Sequence, residues 1–376
     1  MFRFTRMVMS VSSGMSATVG GAAGWAGMTR WLRSVSSRSI DGAAGARGTA
    51  SSGGGKGGEE VLLSKSDPPE VDGAVLGLAI PDARLTVEMP EGVETVAELD
   101  GVVGAIHGFP GNSQDYRYMG PLLTEKNMAM IRLIVPGFNG TPRLSPPPAS
   151  SGLNINDVVA QRLLDNVAGL PASSLGSASP QGARLLDEMA SHDVPLMLVG
   201  HSFGSVLATA ALNLITPPAG LRVGGVLLAP VGYRKHRGLR ASPEAVFWLG
   251  RHLPFVLDYW PFRDQIWKGF KAFGFHRTTA YECVTAMKYV AHLDFDRHKA
   301  LGAAVPCPLA VCYATDDKLI EPEIFHDIVA NLEPEVVREL DSGGHNIQKD
   351  RVHDVVDALV ELQAKLPAFP ASGSRN

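Results

Sequence analysis

The chain has 376 residues, enough for one large domain or two with a sizeable core, and 45% hydrophobic against 19% charged residues exclude general disorder. A formal net charge of −4 gives no footing for a nucleic-acid partner. Three cysteines, Cys283, Cys307 and Cys312, are too few and too scattered for a disulfide framework or a zinc site.

Residues 1–58 differ from the rest. They are rich in Ser, Gly and Ala, and Arg3, Arg6, Arg30, Arg33 and Arg38 all precede the first acidic residue, Asp41. An Arg-rich, Ser-rich, acid-poor leader resembles an organellar transit peptide, mitochondrial or plastid. A plain disordered tail, which would leave the protein cytoplasmic, is the other reading, as is a start set upstream of the true initiator. Residues 51–58 read as a Gly/Ser linker. No run of about 18 apolar residues occurs, so no membrane span is expected.

From about residue 70, short apolar runs alternate with amphipathic segments, the pattern of a mostly parallel sheet covered by helices. Residues 85–89 and 97–99 are candidate strands of an antiparallel start. A buried strand over 101–106 stops at His107-Gly108, and another over 128–135 stops at Pro136-Gly137. Helices are expected over 155–170 and 182–191, the second with Ala183, Leu186 and Ala190 on one face. Residues 195–199 form a wholly apolar strand, 203–215 a helix and 224–229 a strand. The stretch 231–304 is aromatic and basic, with no strand-like run, and reads as a helical cap inserted into the sheet domain. Strands resume at 309–313 and 336–340, and an amphipathic helix over 351–366 closes the fold. The expected organisation is therefore a leader over 1–58, a core over 59–230 and 305–366, the cap over 231–304, and a disordered tail over 367–376.

Gly200-His201-Ser202-Phe203-Gly204 matches G-x-S-x-G between a predicted strand and a predicted helix. That is the setting of a nucleophile elbow. The strand-to-helix turn is tight enough to exclude side chains at Gly200 and Gly204. The serine then stands at a helix N-terminus, where outward amides favour developing negative charge.

With that elbow in place, some 295 residues of the body resemble the α/β-hydrolase superfamily. The resemblance implies a mostly parallel sheet flanked by helices and a Ser, Asp/Glu, His order along the chain. His345, in Ser342-Gly343-Gly344-His345-Asn346 after the last strand, matches the family's base. Aligning Ala314 with the family's usual glycine puts the acid at Asp317. Asp316 is the alternative acid, and otherwise it would cap the following helix. The loop Ile106-His107-Gly108-Phe109-Pro110-Gly111-Asn112 matches the oxyanion side. It implies the Phe109 amide as one donor and the Phe203 amide as the other, with His107 a structural hydrogen-bonder and Gly108 shaping the loop. Pro136-Gly137-Phe138-Asn139-Gly140 reads as scaffold.

The implied chemistry is cleavage of a carboxylic ester or thioester through an acyl-enzyme, without metal or organic cofactor. Acyl transfer and carbon–carbon bond hydrolysis use the same groups. A binding protein on a hydrolase scaffold is the reading of another class. The H-G-F-P stretch is also similar to epoxide hydrolases, but those use an Asp nucleophile where this chain has Ser202. More narrowly, residues 107–113, 115–118 and 136–138 resemble a group of nematode and protist α/β-hydrolases without an assigned substrate. Trp248, Phe255, Tyr259, Trp260, Phe262, Trp267, Phe270 and Phe273 are candidates to roof an apolar small-molecule substrate or to pack the cap. Arg234, Lys235, His236, Arg237 and Arg240 read as a solvated basic face, or as a surface for an anionic substrate or a membrane.

Overall fold

The structure, a computed structural model, describes residues 85–367 apart from 148, 176–177, 180–181, 241 and 243. The expectations for the leader, the linker and nearly all of the tail lie outside the described residues.

Among the described residues, seven strands form one sheet in the order β1-β3-β2-β4-β5-β6-β7. They are β1 (Leu85–Glu88), β2 (Gly101–Ile106), β3 (Met128–Leu133), β4 (Leu196–His201), β5 (Val223–Leu228), β6 (Leu309–Ala314) and β7 (Val336–Leu340). Only β1 runs antiparallel, against β3. The other pairings are parallel. Strands β2 to β6 are buried at every residue. Burial on both faces explains why they read as continuous apolar runs rather than alternating ones.

Helices α1 (Met119–Thr124), α2 (Ile155–Ala168), α3 (Leu185–Ser191) and α4 (Phe203–Leu214) precede or follow the early strands. Between β5 and β6 lie α5 (Arg237–Arg240), α6 (Glu244–His252), α7 (Phe262–Ala272), α8 (Ala280–Ala291) and α9 (Phe295–Ala303). After β6 come α10 (Pro322–Leu332), α11 (Ile347–Asp350) and α12 (Val352–Gln363). The sheet divides two cores. Val102, Ile131 and Leu198 pack with α2 and α4 on one face. Val103, Met130 and Val199 pack with α1 and α12 on the other.

Two local expectations give way. Residues 97–99 are not a strand: Val96–Glu98 is a 3-10 turn, because the Glu98 carboxylate accepts from Glu94 N (3.0 Å) and Thr95 Oγ1 (3.0 Å) and wraps the chain around itself. The helix expected from 182 starts at Leu185, and its core face is Leu185, Leu186 and Met189 rather than Ala183, Leu186 and Ala190. The larger side chains win the burial, since each removes more apolar area from water.

The helices between β5 and β6 form a small core of their own around Val246, Leu257, Ile266, Val284 and Met287. They are tied to the loop after β3 by polar bonds. The Tyr289 hydroxyl donates to Pro136 O (3.1 Å) and accepts from Leu144 N (3.1 Å). Asn139 N donates to Glu282 Oε1 (3.0 Å). Asp258 pairs with both Arg143 and Lys288 at 2.8 Å.

Candidate active site

Strand β4 ends at His201, and α4 starts at Phe203, so one residue must make the turn. Ser202 makes it with φ 52° and ψ −122°, a strained conformation for a residue with a Cβ. Its amide donates to Leu228 O (2.9 Å) on β5, and the Ser205 hydroxyl donates to Ser202 O (2.6 Å). The neighbours leave no room. A Cβ on Gly200 would collide with the carbonyl of Gly204, and one on Gly204 would collide with the carbonyls of Ile106 and His107. A Cβ on Gly108 would lie 2.9 Å from that of Ser202.

Asp317 follows β6 and is turned inward, its side chain wholly shielded from solvent. Oδ1 accepts from the amides of Leu319 (2.7 Å) and Ile320 (3.1 Å). Oδ2 lies 2.7 Å from His345 Nδ1. Burial opposes ionisation of this carboxyl, but the hydrogen bond and charge of His345 and the two amides outweigh it, and its pKa is lowered. A carboxylate accepts only, so Nδ1 carries the ring proton and Nε2 presents a lone pair. That Nε2 is 2.9 Å from Ser202 Oγ. Ser202, His345 and Asp317, which the sequence separates by up to 143 positions, thus form one continuous line of hydrogen bonds.

The loop bearing His345 is held from three sides. Gly343 (φ 138°) and Gly344 (φ 59°) take backbone angles that side chains disfavour, which folds the loop back toward β4. Asp316 Oδ1 accepts from Gly344 N (2.7 Å). Asp316 therefore does not cap the following helix, whose N-cap residue is Glu321. His201 Nε2 donates to His345 O (2.7 Å), and Gln348 approaches His201 Nδ1 (3.4 Å). Burial, then the neighbouring charge of His345, pushes the His201 pKa down to about 3, so the ring is neutral. Lys349 pairs with Asp115 (2.6 Å), tying α11 to the loop after β2.

His107 is buried and hydrogen-bonded at both nitrogens, to Gly108 O (2.9 Å) and from Val135 N (3.2 Å). It joins the ends of β2 and β3. Neither the Phe109 nor the Phe203 amide donates to another group among the described residues. The two rings stack with centroids 4.4 Å apart beside Ser202. Phe138, in the loop after β3, stacks on Phe109 at 4.8 Å and is wholly buried. The loop 136–140 thus lies behind the site, backing Phe109.

Ser202 and His345 open on a cavity of about 130 Å³ under the inserted helices. Its wall is mainly apolar, from Phe109, Phe203, Leu239, Phe270, Met287 and Val290. Of the aromatic residues singled out in the sequence, Phe270 and Phe273 reach this cavity. Trp248, Phe262 and Trp267 pack against the inserted helices' own core, and Phe255, Tyr259 and Trp260 are exposed.

The basic run divides. Arg234 pairs with Asp327, Lys235 with Glu244 and Arg240 with Glu321, and the Arg237 guanidinium donates to Lys318 O. His236 turns the other way, is only 8% exposed and lines the cavity. The sequence reading grouped it with its basic neighbours because one histidine among arginines and lysines carries no sign of direction. Gln348 was missed, since nothing in the sequence tells a helical glutamine that meets His201 from one in water.

Among the described residues no group of three His, Cys, Asp or Glu side chains is placed to hold a metal ion. No helix among them is long and apolar enough to cross a membrane.

A family model described as the alpha/beta hydrolase family matches residues 105–358. No curated protein matches the sequence. Among solved structures, a thermophilic esterase from Thermogutta terrifontis aligns with a TM-score of 0.50 and 17% identity, over 76% of this chain and 96% of that one. A lipase-esterase related protein from Clostridium acetobutylicum aligns at 0.48 and 16%, over 74% and 100%. A monoacylglycerol lipase from Paleococcus ferrophilus aligns at 0.47 and 13%, over 75% and 99%. At 17% identity the likeness to the Thermogutta terrifontis esterase is one of fold alone.

Proposed function

The chain belongs to the alpha/beta hydrolase family, and from that premise we propose that it is a serine hydrolase cleaving a carboxylic ester or thioester, with Ser202 as nucleophile, His345 as general base and Asp317 as the acid that orients it. The observation that carries this reading is the hydrogen-bonded line from Ser202 Oγ through His345 to Asp317, at 2.9 and 2.7 Å. Those distances are what proton transfer from an attacking hydroxyl requires.

In this reading His345 Nε2 takes the Ser202 proton as Oγ adds to the acyl carbon. Asp317 holds the imidazole in the tautomer that leaves Nε2 free, and it stabilises the imidazolium that forms. The Phe109 and Phe203 amides receive the oxyanion, and each such donor is worth about 10²- to 10³-fold in rate. The imidazolium then protonates the leaving alcohol or thiol, and water attacks the acyl-enzyme with His345 again as base. The helices over 231–304 serve as the cap. The cavity beneath them is comparable to cavities of about 150 Å³ that hold one benzene ring. A short acyl chain or a single ring is therefore the group expected there.

The test is labelling of the full chain with a fluorophosphonate, which reacts preferentially with an activated serine, alongside a Ser202→Ala control. Covalent labelling of the wild type that the variant abolishes supports the reading. A folded wild type that neither labels nor hydrolyses any member of an ester and thioester panel would falsify it.

A further inference from the structure

We propose that His236 is a specificity residue of this site, its Nε2 accepting a hydrogen bond from a hydroxyl group carried by an otherwise apolar ester. The inference rests on the serine-hydrolase reading and deepens it by naming a feature of the substrate.

The wall of the cavity carries few groups able to recognise anything polar. Among the described residues that line it, apart from Ser202 and His345, which the proposed chemistry occupies, the polar side chains are His236 and Ser242. The orientation of the His236 ring is fixed. Leu319 O lies 3.0 Å from Nδ1, and a carbonyl only accepts, so Nδ1 carries the proton. In the neutral ring Nε2 is then an acceptor. It has no hydrogen-bond partner among the described residues, although the residue as a whole is only 8% exposed. The atom is not sealed within the protein, so its accepting capacity is open to whatever fills the cavity that His236 lines. Here the ring borders the space a substrate would fill.

The charge state agrees with an acceptor. Burial pushes the His236 pKa down to about 4, helped by the charge of His345 and opposed by the Leu319 bond and by Glu321 and Asp317. Position agrees as well. Leu319 O also accepts from Gly238 N (3.0 Å), so the ring is pinned to the segment that holds Asp317. A neutral acceptor fixed in the wall of the cavity that Ser202 also lines selects for a donor on the bound molecule. Against an apolar wall the simplest donor is a single hydroxyl.

The experiment measures kcat/KM of the full-chain protein on matched ester pairs. One series carries a hydroxyl at successive carbons of a short acyl chain, against the plain acyl esters. The second carries it on the alcohol, as glycol monoesters against alkyl esters, and so tells which half of the substrate meets His236. The expected result is a preference of about tenfold to a hundredfold for one hydroxylated position, below the largest discrimination known for sites that bind a substrate hydroxyl. In His236→Phe, which keeps a ring and removes the acceptor, the ratio should collapse toward one. In His236→Gln, which returns an acceptor near the Nε2 position, part of it should return. A purely structural role would lower both members of a pair together and leave the ratio alone. Turnover by the wild type with no preference in either series, or a preference that survives in His236→Phe, overturns the proposal while the serine-hydrolase reading stands. Absence of both turnover and fluorophosphonate labelling overturns the two together. Should His236→Phe not fold, the wild-type series and His236→Gln still decide it.

Discussion

Asp316 and Asp317 are adjacent carboxylates with separate partners: one holds the Gly344 amide, the other the His345 ring. Their substitutions should differ accordingly. Asp317→Asn keeps the size but offers His345 the wrong tautomer partner, and kcat should fall by about 10⁴-fold with little change in KM. Asp316→Ala frees the His345 loop without touching the ring, and kcat should fall by about tenfold, the scale of a small misplacement. Steady-state kinetics on any accepted ester checks both, and equal losses would contradict the division of labour. The turn at Ser202 between strand and helix was legible in the sequence from its glycines, and the hydrogen-bonded order of Asp317 and His345 was expected from the family's pattern. The role of Asp316 was not legible, because its partner lies 28 positions away and nothing local announces it. His236 was hidden for a similar reason: the direction a side chain faces is decided by Leu319, far along the chain.

Elements were legible where one element determines its own burial. The strands from β2 to β6 are apolar apart from Arg132 and His201 because they are covered on both faces, so their runs survive without any knowledge of neighbours. The stretch between β5 and β6 was legible as helical, but its docking was not, since an amphipathic pattern does not name the surface it meets. That docking depends on polar bonds that can be tested. Tyr289→Phe removes a buried hydroxyl that serves both Pro136 and Leu144, and it should cost about 1–3 kcal/mol of stability in denaturant unfolding. At the elbow, Gly204→Ala drives a methyl into the carbonyls of Ile106 and His107 at the end of β2. The central strand cannot retreat, so a loss of about 3 kcal/mol or failure to fold is expected, read as melting temperature or soluble yield.

At the scale of the whole molecule, several histidines are buried neutral. Burial pushes the pKa of His201 to about 3, and those of His236 and His298 to about 4. In the unfolded chain each takes up a proton near pH 6.5. Above that pH they are neutral in both states and contribute nothing to its pH dependence. As pH falls from about 6.5 toward 4, the unfolded state binds protons that the folded state refuses, so stability drops. The limiting slope is about 1.4 kcal/mol per pH unit for each histidine, or about 4 for the three. Asp317 adds to the loss at lower pH, since its depressed pKa stabilises the fold above the ordinary carboxylate range and ceases to as pH falls through the folded value. Melting temperature should be level from pH 8 to about 7 and decline steeply below 6. A melting temperature unchanged down to pH 5 would mean these rings are not held neutral.

The peptide unit joining Leu319 and Ile320 faces two ways: its N–H holds Asp317 and its C=O holds His236 and Gly238. A rotation of that one plane that released the inserted helices at His236 would also withdraw an amide from the acid. In the proposed serine-hydrolase reading, the hold on the inserted segment at His236 and the hold on the acid are therefore coupled through one rigid peptide plane.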